Sequence, residues 1–166
     1  GVQTCALPIL IRLQSNVGQH SATLCGIRAS KGELVATLDD DLQNDPWELS
    51  DLMQALRAED ADLVIAAYPS QEKEIFRRLG SWFVNKLNVK LFGKENTLLL
   101  SPFRVFNQLT AQRVGSTQII DPYLTGEFFR VTKKVVNVEA IHHKNIRGNS
   151  TYRVGSLLRL LRRMIV

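Results

Sequence analysis

The sequence predicts an α/β fold, a mostly parallel sheet with helices on its faces. Three observations predict it: short apolar runs alternate with stretches of helical period, Gly and Pro punctuate the joins, and an acid-rich turn follows the second apolar run. With 166 residues, 45% hydrophobic and 22% charged, the chain is long enough for one core and too apolar for a disordered tail.

The first nine residues, GVQTCALPI, resemble a translated sequencing adapter, so residues 1–9 are set apart from the fold. Two cysteines, Cys5 and Cys25, support neither a disulfide scaffold nor a four-ligand zinc site. Leu10 to Leu13 is a short apolar run read as a first strand. Gly18 to Ser30 carries Ala22, Leu24, Ile27 and Ala29 at helical period, and Gly32 stops it. A buried strand over Glu33 to Leu38, a helix over Pro46 to Ala58 and a strand over Asp62 to Ala67 complete a βαβαβ order. Such a sheet binds ligands at the carboxyl ends of its strands. Because it would be thin, one or two further strands are expected upstream.

The strongest chemical signal is LDDDLQNDP, where the second strand ends. Residues two apart on a strand face the same way, so Asp39 and Asp41 are expected to point together and Asp40 elsewhere. Two convergent carboxylates suit a hard divalent cation, Mg²⁺ or Mn²⁺, with Gln43 as a neutral oxygen ligand. An isolated DxD is more often a solvated turn, but the strand context counts against that reading here. Asp45, Pro46 and Glu48 mark a helix start, so Asp45 is expected to cap backbone N–H groups and to hold no metal.

The stretch SNVGQHSATLCGIRASKGELVATLDDDLQNDPWEL closely resembles the inverting, metal-dependent glycosyltransferases of family 2, in particular their polyprenyl-phosphate branch. That branch reads approximately RN-x-GQ-x-x-A, then D-x-DLQ-x-PPE. Asn16, Gly18, Gln19, Ala22, Asp39, Asp41, Leu42, Gln43, Pro46 and Glu48 match it, and Ser15 and Asp45 depart from its Arg and Pro. The resemblance implies a partial GT-A, Rossmann-like domain over residues 10–152, with its first strands missing. It implies a transferase moving a sugar from a UDP- or GDP-sugar to undecaprenyl phosphate, at the cytoplasmic face of a bacterial inner membrane. Carried over residue by residue, Asp39, Asp41 and Gln43 hold the metal. Arg104 in SPFRVF approaches the transferred group, Arg77 in IFRRLGSWFVNKL lies near the acceptor, and Arg147 and Ser150 in HHKNIRGNSTYRVG meet phosphate, with Lys144 an alternative to Arg147. Tyr68 in VIAAYPS stands where the family often has a phosphate-binding Arg. Asp41 and Arg104 are the catalytic candidates.

The chemistry supports this independently of the resemblance. A lipid phosphate oxygen is already anionic near neutral pH, so its attack needs no strong general base. It needs positive charge at the leaving diphosphate and at the nucleophile. The chain offers acids and arginines and no compelling Ser/His/Asp set. His20, His142 and His143 are read as packing or hydrogen-bonding residues.

The net charge of +5 and pI near 9.5 have two readings. Nucleic-acid binding calls for exposed aromatics interleaved with basic residues or a known module, and neither is present. Instead Ile75, Phe76, Leu79, Trp82, Phe83, Leu87 and Leu91 form an apolar stripe bordered by Arg77, Arg78, Lys86 and Lys90, equally consistent with a membrane face and a core face. Residues 153–166 pair Val154, Leu157, Leu158, Leu161 and Ile165 with Arg159, Arg162 and Arg163, the pattern of a helix lying on an anionic membrane surface. The rival functions are a family 2 transferase acting on a non-phosphate saccharide, a nucleotidyltransferase, and a fragment inactive by itself.

Overall fold

A computed structural model describes residues 9–41, 43–68, 75–141 and 160–164, with side chains of the helix that opens at 75 described from residue 82. Leu42, Arg147, Ser150, His142 and His143 lie outside the described residues, as does the Arg77 side chain. In chain order the elements are α1 (Gln19–Ala29), β1 (Leu34–Thr37), a 3-10 turn (Pro46–Glu48) running into α2 (Leu49–Ala58), β2 (Leu63–Ala67), α3 (Ile75–Phe92), β3 (Arg104–Asn107), α4 (Gln108–Gly115), α5 (Leu124–Val131) and β4 (Val135–Glu139).

Each early element has a local cause. Gly18 enters α1 at φ +81°, a region open to glycine, and its N–H donates to Asn16 Oδ1 at 3.0 Å. Asp45 caps the next helical segment, its Oδ1 accepting from Trp47 N–H at 3.0 Å, with Pro46 at the first helical position, as the spacing predicts. Asn107 does the same for α4, accepting from Thr110 N–H at 2.8 Å.

The four strands lie in the order β1-β3-β2-β4. β2 and β4 pair parallel, and β3 runs antiparallel between β1 and β2. Three of the four strands therefore point the same way, but β1 and β2 are not neighbours as a plain βαβ unit would make them. The expected first strand is also corrected: Leu10 to Leu13 is not a strand, and Ile9 and Leu10 are 88% and 92% exposed. An apolar run becomes a strand only where an edge pairs with it, and no strand among the described residues does so.

Alternating side chains split the core across the sheet. Val35, Leu63, Ile65 and Phe106 pack on one face with α1, α4 and α5, together with Phe128 and Phe129. Val64, Ala66, Val105 and Phe103 pack on the other with Leu52 and Leu56 of α2. Phe103, Phe106 and Phe128 are fully buried, and truncating any of them to Ala costs about 3–5 kcal/mol. Gly126 of α5 is required by packing, since a Cβ there would stand 2.6 Å from the Phe92 ring.

The α3 stripe serves both readings offered above. Leu87 and Val84 pack on the core and Asn88 and Phe92 are buried, whereas Trp82, Phe83 and Leu91 are exposed, with Lys86 Nζ 4.2 Å from the centre of the Trp82 ring. Among the described residues no helix is long and apolar enough to cross a membrane.

Candidate active site

The acid motif begins where β1 stops. The strand ends at Thr37, so Asp39 and Asp41 sit on the bend beyond it, and the two-residue alternation used above does not extend to them. Local bonds orient them instead. Asp39 Oδ1 accepts from Gln19 Nε2 at 2.8 Å, tying the acid to the first turn of α1. Asp41 Oδ1 accepts from the backbone N–H of Gln43 at 3.1 Å, closing a tight turn. Burial first, then the negative charge of Asp41, push the Asp39 carboxyl above its usual range, against the opposing pull of Gln19 and Arg104. The two acids are therefore close enough to repel.

Arg104 is the first residue of β3 and pairs in register with Thr37 at the end of β1 and with Ile65 of β2. It is 6% exposed, and its Nε and Nη1 are buried without a hydrogen-bond partner. Burial lowers its pKa to about 10, with Tyr123 and Asp39 acting in the opposite sense. The guanidinium carbon lies 5.0 Å from the centre of the Phe128 ring, a contact that supports a cation without satisfying its N–H groups. A buried cation with orphaned donors is costly, so its presence points to an anionic ligand.

Asp39 and Arg104 line the same cavity, about 610 Å³, with Gln19, His20, Ser101 and Thr125 among its other walls. Val35 to Asp39 form one wall of the cavity, and among the described residues β1 is an outer strand of the sheet. Its chemistry is therefore acid at the carboxyl end of a strand and a buried cation across from it. As donors for a divalent cation, Asp39, Asp41 and Gln43 fit a hard ion: two carboxylates in mutual repulsion and an amide oxygen. No cluster of three or more His, Cys, Asp or Glu occurs among the described residues, so such an ion would draw remaining ligands from water or substrate.

Tyr68, in the place of the family Arg, donates its hydroxyl to Asn44 Oδ1, and burial together with the charges of Glu48, Asp39 and Asp41 lifts its pKa to about 12. It meets the acids as a neutral hydroxyl. Glu48 accepts from the Ile141 N–H at 2.6 Å and so ties the start of α2 to the residues after β4.

Two cavity residues escaped the site prediction. Gln19 was visible in the GQ match but carried no role, and its bond to Asp39 supplies one. His20, expected as a packing residue, stands edge-on to the Tyr123 ring, 5.8 Å between centres, and also lines the cavity. The helix over 160–164 folds back onto the domain: Met164 is buried, Leu160 and Leu161 pack on the core, and Arg163 Nη2 pairs with Asp121 Oδ1 at 2.6 Å. Arg163 is therefore turned toward the protein.

Comparisons with known proteins agree with this geometry. The model of glycosyl transferase family 2 matches residues 6–128. An undecaprenyl-phosphate 4-deoxy-4-formamido-L-arabinose transferase of Sodalis glossinidius is 30% identical over 158 residues, covering 92% of this chain and 47% of that protein. The same-named protein of Proteus mirabilis is 32% identical over 158 residues, covering 92% and 47%, respectively. The chain thus spans about half the length of the curated relatives it matches. Among solved structures, the glucosyl-3-phosphoglycerate synthase of Mycobacterium tuberculosis in complex with Mn²⁺, UDP-glucose and phosphoglyceric acid superposes with a TM-score of 0.60 at 19% identity, covering 95% of this chain and 57% of that one. That likeness identifies the fold as GT-A. The chain belongs to glycosyl transferase family 2.

Proposed function

We propose that the protein carrying this chain transfers a sugar from a nucleotide-sugar to a polyprenyl phosphate, with inversion, at the cytoplasmic face of a bacterial inner membrane. One observation carries the reading: Arg104, a buried cation with unpartnered N–H donors, is a wall of the cavity that Asp39 also lines. The names of the relatives supply the acceptor class, undecaprenyl phosphate.

In the transfer, an anionic phosphate oxygen of the acceptor attacks the anomeric carbon as the bond to the nucleoside diphosphate breaks. The diphosphate leaves with the bonding pair, and no proton has to move. Arg104 would hold the incoming oxygen by charge-assisted bonds, which gain strength in a site shielded from water. Asp39, Asp41 and Gln43 would hold Mg²⁺ or Mn²⁺, which when bound supplies Lewis-acid charge to the departing diphosphate. Gln19 fixes the Asp39 carboxylate from α1, and Tyr68 faces the acids without adding charge. Arg147 and Ser150 are assigned to the acceptor phosphate, Arg77 to the acceptor end, and Arg159 and the exposed Arg162 of the segment 153–166 to the anionic membrane surface, its residues Leu160, Leu161, Arg163 and Met164 facing the protein. The exposed Trp82, Phe83 and Leu91 beside Lys86 give α3 a surface of the same kind. UDP and GDP remain alternative donors.

The test is to express the complete protein and follow sugar transfer to undecaprenyl phosphate with and without Mg²⁺ or Mn²⁺. Expected are metal-dependent turnover and a loss of at least about 100-fold in Asp41→Ala. Metal-independent turnover, full activity in that variant, or transfer only to a saccharide alcohol overturns the reading.

A further inference from the structure

Two arginines from distant parts of the chain lie near the amino end of α1. Its N-cap is Gly18, no side chain caps it and its first turn holds no acid of its own, so its leading N–H groups lack a side-chain cap, while the Asp39 carboxylate reaches the same turn through Gln19 Nε2 at 2.8 Å. Arg104, more than nine-tenths buried and with Nε and Nη1 unpartnered, is a wall of the cavity that Gln19 and His20 line. Arg163 reaches back from the helix over 160–164. Its Nη2 is 3.2 Å from where a Cβ of residue 18 would stand, so glycine leaves the room for it. Asp121 takes that Nη2, and Arg163 Nε is buried with no hydrogen-bond partner.

His20, the second residue of α1, carries the influence of both cations. Burial and the charges of Arg163 and Arg104 lower its pKa to about 4, with Asp121 opposing them. A third cation is thus excluded, and a neutral imidazole remains beside two guanidiniums and a helix N-terminus. Such a group of donors is suited to an anion with several oxygens.

We propose that Arg163 is a substrate-binding residue, forming with Arg104 and the amino end of α1 one receptor for a phosphate dianion. The proposal rests on the phosphate-acceptor reading above and adds a binding residue from the C-terminal helix, so that the seating of that helix and the filling of the site are coupled. Asp121 orients Arg163 and competes with the ligand for it.

The test uses the full chain and inorganic phosphate as the probe, followed by the NMR signal of the His20 imidazole and by calorimetry. Saturable phosphate binding is expected, and the bound anion, by offsetting both guanidinium charges, shifts the His20 titration upward from about 4. Arg163→Gln and Arg104→Gln each weaken binding roughly tenfold or more, the scale of one lost charged hydrogen bond. Asp121→Asn separates ligand from tie: it frees Arg163 and tightens phosphate binding severalfold if Arg163 is a ligand, whereas a purely structural Arg163–Asp121 tie predicts weakening in both variants. Unchanged affinity in Arg163→Gln, weakening in Asp121→Asn, or binding by an adventitious surface site that leaves His20 unmoved overturns the proposal. If phosphate binds as expected but the complete protein transfers no sugar to polyprenyl phosphate, the glycosyl-transfer reading falls and this site stands.

Discussion

Replacing Arg104 by Met is expected to make the protein more stable while removing its phosphate binding. The structure sets the size of the effect. The depression of the Arg104 pKa from 12.5 to about 10 corresponds to about 3 kcal/mol against the charged form in the folded state, at 1.36 kcal/mol per tenfold change in proton affinity. The sign follows from linkage: Arg104 is protonated in both folded and unfolded chains at neutral pH, so the cost is fully present there and fades only as the pH rises past its folded value. Against it stands the contact with Phe128, 5.0 Å from the ring centre, worth about 0.5–2 kcal/mol. Met has similar length, fills the volume and leaves no orphaned donor. The net gain is about 1–3 kcal/mol, or about 2–10 °C in Tm for a chain of this size. Urea and thermal unfolding of both proteins measure it, with phosphate absent. A loss of stability of 1 kcal/mol or more in Arg104→Met would refute the reasoning, because it would make the guanidinium a structural element of the core.

Asp39→Asn should likewise stabilise the chain at neutral pH: the raised folded pKa means that the stability Asp39 contributes is present at low pH and lost as the pH rises through the folded value. Urea midpoints at acid and neutral pH should therefore differ less in the variant than in the wild type, and Mn²⁺ binding should vanish in it. Gly126→Ala should cost about 1–3 kcal/mol in a thermal melt, since its Cβ would meet Phe92 at 2.6 Å and Tyr123 at 2.9 Å in a packed region. Asp62→Ala removes the acceptor of Asn107 Nδ2 at 2.8 Å and of Thr132 Oγ1 at 2.6 Å, and should lower stability by about 2–4 kcal/mol in urea unfolding.

Elements with a local signal were legible in the sequence. The helices over Gln19–Ala29 and Leu49–Ala58, the strands over Leu34–Thr37 and Leu63–Ala67, and the Asp45 cap follow from periodicity, Gly and Pro placement and cap chemistry. The acid motif was legible because its residues are consecutive. What depended on distant partners was not. Leu10 to Leu13 has the composition of a strand, but pairing is a tertiary event. Thr37 ends its strand early because β3 begins opposite it, at Arg104, 67 positions away in the chain. His20 has a packing contact with Tyr123, as expected, yet its pKa is lowered first by burial and then by Arg163 and Arg104, which no local pattern brings to it.

The insertion of β3 explains why the acids and the buried cation meet. In a purely parallel sheet every strand would bring only its last residues to the carboxyl edge, where ligands bind. An antiparallel strand brings its first residue there instead. Arg104 opens β3 opposite Thr37, two residues before Asp39, and the strand then runs away from the site into a core held by Val105 and Phe106. Its ladder bonds to both neighbours fix the backbone from which the guanidinium projects, and Phe128 fixes the far end. Thr37 adds a tie just upstream, its Oγ1 donating to Pro102 O at 2.7 Å. Among the described residues no counter-ion pairs with the cation; sheet geometry holds it, with Nε and Nη1 unpartnered. Thr37→Val tests this division of labour: it removes the tie to Pro102 but leaves the ladder intact, so phosphate affinity should change less than threefold while stability falls by about 1 kcal/mol. A loss of phosphate binding comparable to that of Arg104→Gln, with stability unchanged, would show that the loop before β3 and not the sheet positions the guanidinium.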